Sequence, residues 1–325
     1  MMFTTFRFMV VGCLACLAGL PAHAQEAFPQ KTVHIVVPWP PGGPPDMVAR
    51  LVAPKMSELW GTPVIVENRP GATGTIGTDA VLRSAPDGHT LLLTSNQPIV
   101  IAPALFSTPY DPTKDLLPVA IVGEAPNVLI ISKSSGINSV AELIAAAKAK
   151  PGTLTFSSAG PGSIGHLSGE LIKQIAGIDM IHVPYPGTAQ AVTAVVTGEV
   201  SFTSSSMQQT MPQIKAGKVR ALGVTGTRPS QFMPELQPLS DQGFNGLDVT
   251  AWYGVFAPLK SSRPALRTVR DTLQKVFQDT GLRQKLNGAG IELIWQVADD
   301  QMANRIAADL NRYRNVVKAA HIKAN

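Results

Sequence analysis

The chain alternates between two hydrophobic patterns, short apolar runs and longer stretches with apolar residues three and four positions apart. Residues 33–37, 64–66 and 90–94 are runs of the length of a buried strand. Residues 46–59 have the helical spacing, and Gly61 follows where that helix should end. This alternation predicts an α/β fold with an open parallel sheet and a ligand site at the carboxyl ends of the strands.

Two strand–turn–helix units have turns built from small residues and proline. The first turn, 38–45, leads into the helix at 46–59, which Asp46 is predicted to cap. The second turn, 159–163, follows a strand at 153–158. The start of a helix has unpaired N–H groups and a partial positive charge, and glycine lets an anion approach them closely. We therefore predict that the two turns face each other across a cleft and bind an anion.

The order of the elements predicts two lobes joined by a hinge. The chain should cross to the second lobe near residue 125 and return through the apolar run at 249–257. Long helices at 264–278 and 299–320 should then pack on the first lobe. Two connections with few other contacts allow hinge motion, and ligand sites favour such clefts. The predicted lobes are residues 25–124 plus 249–325, and residues 125–248.

The first residues have the pattern of a secretory signal peptide. Arg7 precedes an apolar run at 8–20, and the A-x-A pattern of residues 22–24 predicts cleavage after Ala24. A lipoprotein signal ending at Cys13 is the weaker alternative, since little hydrophobic sequence precedes it. With cleavage after Ala24, the mature chain loses Cys13 and Cys16 and has neither a disulfide nor a thiol nucleophile.

The charge composition argues against a nucleic-acid partner. The 325 residues contain 27 Lys and Arg and 22 Asp and Glu, a formal net charge of +5. This excess is small, much of it lies on the C-terminal helices, and aromatic residues do not alternate with it. No group of His, Cys, Asp and Glu has the spacing of metal ligands, and we predict no metal and no other cofactor.

Ser163 and His166 define an alternative function. They lie three residues apart at the start of a helix, and together they could form the nucleophile and base of a hydrolase. However, Pro161 excludes the G-x-S-x-G pattern, and no acidic residue is evidently placed to orient His166. We favour a helix cap for Ser163 and a structural role for His166.

Motifs along nearly the whole mature chain resemble one known family, the periplasmic solute-binding proteins of tripartite tricarboxylate transporters, called the Bug family. Each motif is weak alone, but together and in this order they are specific. They are VVPWPPGG at 36–43, VENRPGA at 66–72, APDG at 85–88, SAG at 158–160 with GS at 162–163, HVPY at 182–185, IKAGK at 214–218 and WYG at 252–254.

The resemblance implies a Venus flytrap fold of type II-like topology and a receptor without catalytic activity. Such a receptor would bind a small carboxylate in the periplasm and deliver it, as a monomer, to a membrane permease. A sensor subunit that signals the same ligand to a membrane kinase stays open as an alternative. The implied ligand-binding residues are Trp39, Pro40, Gly42, Gly43, Ser95, Ser158, Ala159, Gly160, Ser163, Tyr185, Gly187, Thr188 and Ser204.

Two positions depart from the family pattern. Pro186 stands where the family usually has Lys or Arg, so a cation and a backbone donor are absent. Ser204, Ser205 and Ser206 stand where the family often has Asp, so hydroxyl groups replace an acid. Trp39 and Pro186 favour an aromatic or otherwise apolar-bodied carboxylate, and a dicarboxylate stays open.

Overall fold

The computed structural model describes residues 28–297 and 299–322. The predicted signal peptide, with its cleavage site at Ala24 and both cysteines, lies outside the described residues. None of the helices in the described chain combines the length and the apolar character that a membrane span requires.

The first sheet contains six strands and takes its strands from both ends of the chain. Its order is β11-β4-β10-β3-β1-β2. Strands β1, β2 and β3 are parallel, whereas β10 is antiparallel to both β3 and β4 and β11 is antiparallel to β4. The expectation of an open parallel sheet is therefore wrong for two of its six strands, β10 and β11, because the returning chain enters against the direction of the first strands. The strands are β1 (Val33–Val37), β2 (Val64–Asn68), β3 (Thr90–Ser95), β4 (Leu116–Ala125), β10 (Ala251–Pro258) and β11 (Glu292–Gln296).

The second sheet contains five strands, and all of them come from the middle of the chain. Its order is β7-β6-β8-β5-β9. Strand β6 is parallel to β7 and β8, and β5 is antiparallel to β8 and β9. The strands are β5 (Asn127–Ser132), β6 (Thr155–Ser158), β7 (Ile181–Pro184), β8 (Phe202–Ser206) and β9 (Val219–Val224).

Helices cover the two sheets, and most of them begin after a residue whose side chain caps them or end at a glycine. Gly61 ends the first helix in the left-handed conformation, with φ of 63°. The hydroxyls of Ser139 and Ser163 accept N–H groups of the helices that they begin. The helices are α1 (Pro44–Trp60), α2 (Thr75–Leu82), α3 (Ala102–Leu105), α4 (Val140–Ala149), α5 (Ile164–Ala176), α6 (Thr188–Thr197), α7 (Met207–Lys215), α8 (Arg263–Val276), α9 (Thr280–Gly288) and α10 (Asp299–Ala319).

One hydrophobic cluster extends from one sheet to the other. It joins Val36 and Ile121 of the first sheet to Phe156 of the second. Helix α10 contributes Ile306 and Leu310 to this cluster and packs against α5 as well as β4. The expectation that the last helix packs on the first lobe is therefore incomplete. The apolar face of α10 also packs against α5, a helix that covers the second sheet.

Candidate functional site

A cavity of about 650 Å³ lies where the carboxyl ends of strands from both sheets meet. Strands β3 and β10 and the β1–α1 turn line it from one side, and strands β6 and β8 with the starts of α5 and α6 line it from the other. The two turns predicted to face each other thus share one cavity. The lining residues are Trp39, Pro40, Pro41, Gly43, Pro44, Pro45, Ser95, Gln97, Ala125, Asn127, Ser158, Ala159, Ser163, Ile164, Gly165, Thr188, Thr203, Ser204, Ser205, Ser206, Ala251 and Tyr253.

The β1–α1 turn offers fewer main-chain donors than its sequence predicts. Gly43 is the N-cap of α1, and Pro44 and Pro45, the next two residues, have no N–H group. The Gly42 N–H donates to the Asp46 carboxylate at 2.9 Å, so it is engaged inside the turn. Asp46 therefore does not cap α1 as predicted, because it is the third residue of the helix and its carboxylate binds back to the loop.

Asp46 stabilises the β1–α1 turn through the hydrogen bonds of its carboxylate. The residue is only 2% exposed, and its carboxylate accepts hydrogen bonds from Arg50 Nε at 2.9 Å and from Asn68 Nδ2 at 2.8 Å. Burial acts to raise the pKa of Asp46, but hydrogen bonds from Arg50, Gly42 and Asn68 outweigh it and lower that pKa. The turn is thus built around an ionised carboxylate.

Trp39 is a fixed wall of the cavity. Its indole Nε1–H donates to Thr94 Oγ1 at 3.2 Å, and its carbonyl accepts from Asn68 Nδ2 at 3.0 Å. The ring is half-buried and packs against the apolar core of the first sheet. With the ring and the backbone both bonded, Trp39 presents an aromatic surface to the cavity in one orientation.

The turn between β6 and α5 keeps free donors. Ser163 is the N-cap of α5, and its Oγ accepts the His166 N–H at 3.3 Å. Helix geometry leaves the N–H groups of Ile164 and Gly165 without an intrahelical acceptor, and both residues line the cavity. Since α5 has 13 residues, its dipole adds a partial positive charge at this end.

Two histidines support the same turn. His182 Nε2 lies 2.7 Å from Ser158 Oγ, and His166 Nδ1 accepts the Gly162 N–H at 3.0 Å. Burial lowers the pKa of each imidazole to about 4, with the charge of Lys173 as a further cause. Both rings are therefore neutral at pH 7.

The geometry does not form a hydrolase dyad. Ser163 Oγ is bonded to the main-chain N–H of His166, and His166 Nδ1 is bonded to Gly162. Because each group is engaged in capping the helix, neither is placed to exchange a proton with the other. Among the described residues, no cluster of three or more His, Cys, Asp or Glu side chains could hold a metal ion.

The end of strand β8 carries hydroxyl groups without partners. Ser204 and Ser205 are 5% and 4% exposed, and neither hydroxyl oxygen has a hydrogen-bond partner among the described residues. Both residues line the cavity. Buried hydroxyls are normally hydrogen-bonded, so these two lack a partner that the rest of the described protein does not supply.

Nine of the 13 predicted binding residues line the cavity, and four do not. The nine are Trp39, Pro40, Gly43, Ser95, Ser158, Ala159, Ser163, Thr188 and Ser204. Gly160 donates its N–H to Ser158 Oγ at 3.1 Å, and the Tyr185 hydroxyl donates to Glu199 at 2.9 Å. Gly42 and Gly187 shape the turns before α1 and α6 and are likewise absent from the lining.

Sequence reasoning missed several lining residues because it followed the turns and neglected the strand ends. Strand β8 runs to Ser206, which brings Ser205 and Ser206 to the cavity. Asn127 and Tyr253 lie at the two places where the chain passes between the sheets. The rule that ligands bind at the carboxyl ends of strands could have indicated Ser205 and Ser206 in addition to Ser204.

None of the described residues that line the cavity carries a charged side chain. Its polar groups are hydroxyls, the amides of Gln97 and Asn127, and main-chain N–H groups. Burial raises the pKa of Tyr253 above its ordinary value, so this phenol is neutral as well. The cavity can therefore bind an anion only through neutral donors and helix starts.

Two α/β lobes with a cavity between their strand ends are typical of the class of periplasmic solute-binding proteins. Rpa4515 of R. palustris, solved with adipate, is 30% identical to this chain with a TM-score of 0.72, over 91% of this chain and 99% of its own. Residues 48–322 match the sequence model of the tripartite tricarboxylate transporter family receptor. The chain therefore belongs to this family.

Two further relatives are similar to this chain over most of its length. Protein BugT of Bordetella pertussis is 31% identical over 317 residues, which is 97% of each chain. MatC from Rhodopseudomonas palustris, solved with bound malate, is 31% identical with a TM-score of 0.70, over 89% of this chain and 100% of its own. Members of the family are solute-binding receptors and not enzymes, which confirms the predicted class and removes the hydrolase alternative.

Proposed function

We propose that this receptor binds a small carboxylate in the cavity between its lobes and delivers it to the permease of a tripartite tricarboxylate transporter. The observation that carries the proposal is the pair of unpartnered hydroxyls of Ser204 and Ser205 beside the free N–H groups at the start of α5. The adipate and malate in two related structures support the same ligand class.

Neutral donors are sufficient for such binding. A helix start stabilises an anion by about 0.3–1 kcal/mol, and up to ~2 kcal/mol where it is partly buried. Each hydrogen bond to a charged group adds about 1.5–3 kcal/mol. Four or five donors, less the cost of closing the lobes, are compatible with micromolar affinity, which corresponds to about −8 kcal/mol.

The lobes we propose are residues 25–124 plus 249–325, and residues 125–248. Two passages of the chain between the sheets, at Ala125–Asn127 and before β10, would act as the hinge. Closure would bring Trp39 and Ser95 towards Ser158 and Thr188 around the solute. Delivery would follow when the permease stabilises the open form and the solute dissociates.

The proposal places the receptor in the periplasm, after removal of residues 1–24. The family supports this location, and a purified mature protein whose sequence begins at residue 25 would test the cleavage. Copurification with a tripartite permease in detergent would support delivery to it. Copurification with a membrane kinase alone would instead favour the sensor alternative.

A thermal-shift screen tests the binding function. A solute at one hundred times its Kd should stabilise the protein by about 2.7 kcal/mol, which raises the Tm. We expect at least one carboxylate to do so, and its methyl ester to have no effect. If neutral sugars raised the Tm while no carboxylate did, the proposal would be wrong.

A further inference from the structure

The two sides of the cavity differ in chemistry. The β1–α1 turn contributes an almost entirely apolar surface, here called the apolar wall, made of Trp39, Pro40, Pro41, Pro44 and Pro45. Four prolines in this wall supply neither a side-chain donor nor an N–H group. The opposite side consists mainly of hydroxyl groups and a helix start. A bound molecule that matches both sides has a polar end and an apolar body.

The hydroxyls of Ser204 and Ser205 come from opposite faces of the second sheet. Ser204 pairs with Leu129, whose side chain lies in the hydrophobic cluster that contains α5. Ser205 pairs with Val128, whose side chain lies in the cluster that contains α6 and α7. Paired residues of neighbouring strands point to the same face. The two serines therefore reach the cavity from both sides of the end of β8.

The start of α5 lies against this strand end. A Cβ atom added to Gly165 would stand 3.0 Å from the carbonyl oxygen of Ser204, so the helix approaches β8 closely only because residue 165 is glycine. Ile164 and Gly165, with their free N–H groups, and Ser204 and Ser205, with their buried hydroxyls, all line this side of the cavity. We call this group of four residues the carboxylate end.

The side of the apolar wall also carries the Ser95 hydroxyl and the Gln97 amide, but none of the described lining residues supplies a positive charge for a second carboxylate. The apolar wall belongs to the turn and helix of Arg50, but the Arg50 guanidinium is bonded to Asp46 and to Asn68 Oδ1 at 2.9 Å. The carboxylate of Asp46 itself lies directly beneath the turn. A second carboxylate against this wall would lose hydration without gaining a cation, which is unfavourable.

We propose that the cavity selects monocarboxylates with an apolar body, bound with the carboxylate at Ser204, Ser205 and the start of α5 and the body against the apolar wall. The inference rests on the proposed function and narrows it. Two relatives were solved with the dicarboxylates adipate and malate, so adipate is the comparison ligand that tests the inference.

Hexanoate and adipate provide a matched pair of probes, because they share one chain length and differ only in a terminal methyl or carboxylate group. Titration calorimetry on the mature protein should give at least tenfold tighter binding of hexanoate. Benzoate and 3-phenylpropionate should also bind more tightly than adipate. Adipate binding as tightly as hexanoate, or more tightly, would overturn the inference.

Serine variants test the carboxylate end. Ser204→Ala and Ser205→Ala should each weaken hexanoate binding by about tenfold, with the Tm of the free protein unchanged or raised. Ser168→Ala is the matched control, because Ser168 in α5 also has a buried hydroxyl without a partner but does not line the cavity. Equal affinities of all three variants for hexanoate would overturn this assignment.

The outcomes separate this inference from the proposed function. If no carboxylate of either charge binds, the proposed function itself fails. If adipate or malate binds and hexanoate does not, the receptor function stands and the selection of monocarboxylates is wrong.

Discussion

The imidazole ring of His166 stacks on that of His182, with ring centroids 3.9 Å apart and planes at 12°. Phe156 stacks on His182 at 5.0 Å, so the histidines continue an aromatic column that begins in the core. His182 contacts Ser158 and His166 contacts Gly162, and the pair therefore supports the turn between β6 and α5. Two charged rings in this arrangement would repel each other, so the stack depends on neutral histidines.

Stability should decrease as the pH falls from 7 to 5. The pKa of His166 and His182 is lowered to about 4 by burial, whereas the unfolded chain takes up these protons near pH 6.5. Between those values the unfolded state binds more protons, and protonation favours unfolding. The Tm should fall by a few degrees, at roughly 2–4 °C per kcal/mol.

Two glutamine variants provide the control for this pH dependence. His166→Gln and His182→Gln should each reduce the slope of Tm against pH between 5 and 7. A Tm that stayed constant or rose on acidification of the unaltered protein would contradict the argument.

Gly169→Ala should be destabilising although alanine favours helices. A Cβ atom at residue 169 would lie 2.1 Å from Cε2 of Phe156, a ring that is buried and cannot move away. Overpacking of this kind costs about 1–3 kcal/mol, more than the roughly 1 kcal/mol gained in helix propensity. Urea unfolding measures the change.

Gly288→Ala is the matched helical control. Nothing lies within 4 Å of its added Cβ atom, and it should stabilise the protein slightly, by about 0.5 kcal/mol. If both variants had the same free energy of unfolding, close packing of α5 on Phe156 would not be the cause.

Asp46→Ala should cost about 2 kcal/mol of stability and weaken solute binding. The substitution removes the acceptor of Gly42 and Asn68 and leaves Arg50 with only its bond to Asn68. The β1–α1 turn would lose the group that orders it. Chemical denaturation and calorimetry measure the two effects.

Asp79→Ala is the control for this prediction. Asp79 and Arg83 form an i,i+4 ion pair that is more exposed than the pair of Asp46 and Arg50. Arg83 is bonded to Asp79 at 2.8 Å, but its side chain is 72% exposed. This variant should change stability by less than about 0.5 kcal/mol. A loss equal to that of Asp46→Ala would show that burial of the carboxylate is unimportant.

Trp39 should report solute binding by its fluorescence. It is the one tryptophan among the lining residues, while Trp60, Trp252 and Trp295 lie elsewhere in the described chain. Trp39→Phe should remove most of the fluorescence change on titration with a bound carboxylate and preserve most of the affinity. Trp60→Phe should keep the signal, and a signal that survived Trp39→Phe would place the solute away from this wall.

Local patterns predicted the elements that depend on local physics. The strand at Val33–Val37 and the end of α1 at Gly61 follow from β-branched residues and from a glycine in the left-handed region. The cap at Ser163 follows from its hydroxyl before an apolar helix. Helix α7, helix α9 and strand β11 were not predicted, because their apolar spacing is short or interrupted.

The donors available in the cavity could not be predicted in the same way. Whether the Gly42 N–H is free depends on Asp46, and whether Gly160 is free depends on Ser158. Whether the Ser204 and Ser205 hydroxyls have partners depends on elements far away in the chain. The residue type determines which hydrogen bonds a group can make. Only the neighbouring residues in the fold determine whether that group is already hydrogen-bonded.

The amino-acid sequence by itself determined the α/β class, the two small-residue turns and the family, because these depend on residue type, spacing and order along the chain. The tertiary structure alone decided that one turn forms an apolar wall and that the other keeps its free donors. It also decided the mixed direction of the first sheet and the buried serine hydroxyls at the end of β8. These properties arise from contacts between distant segments, which the spacing of residues along the chain does not encode.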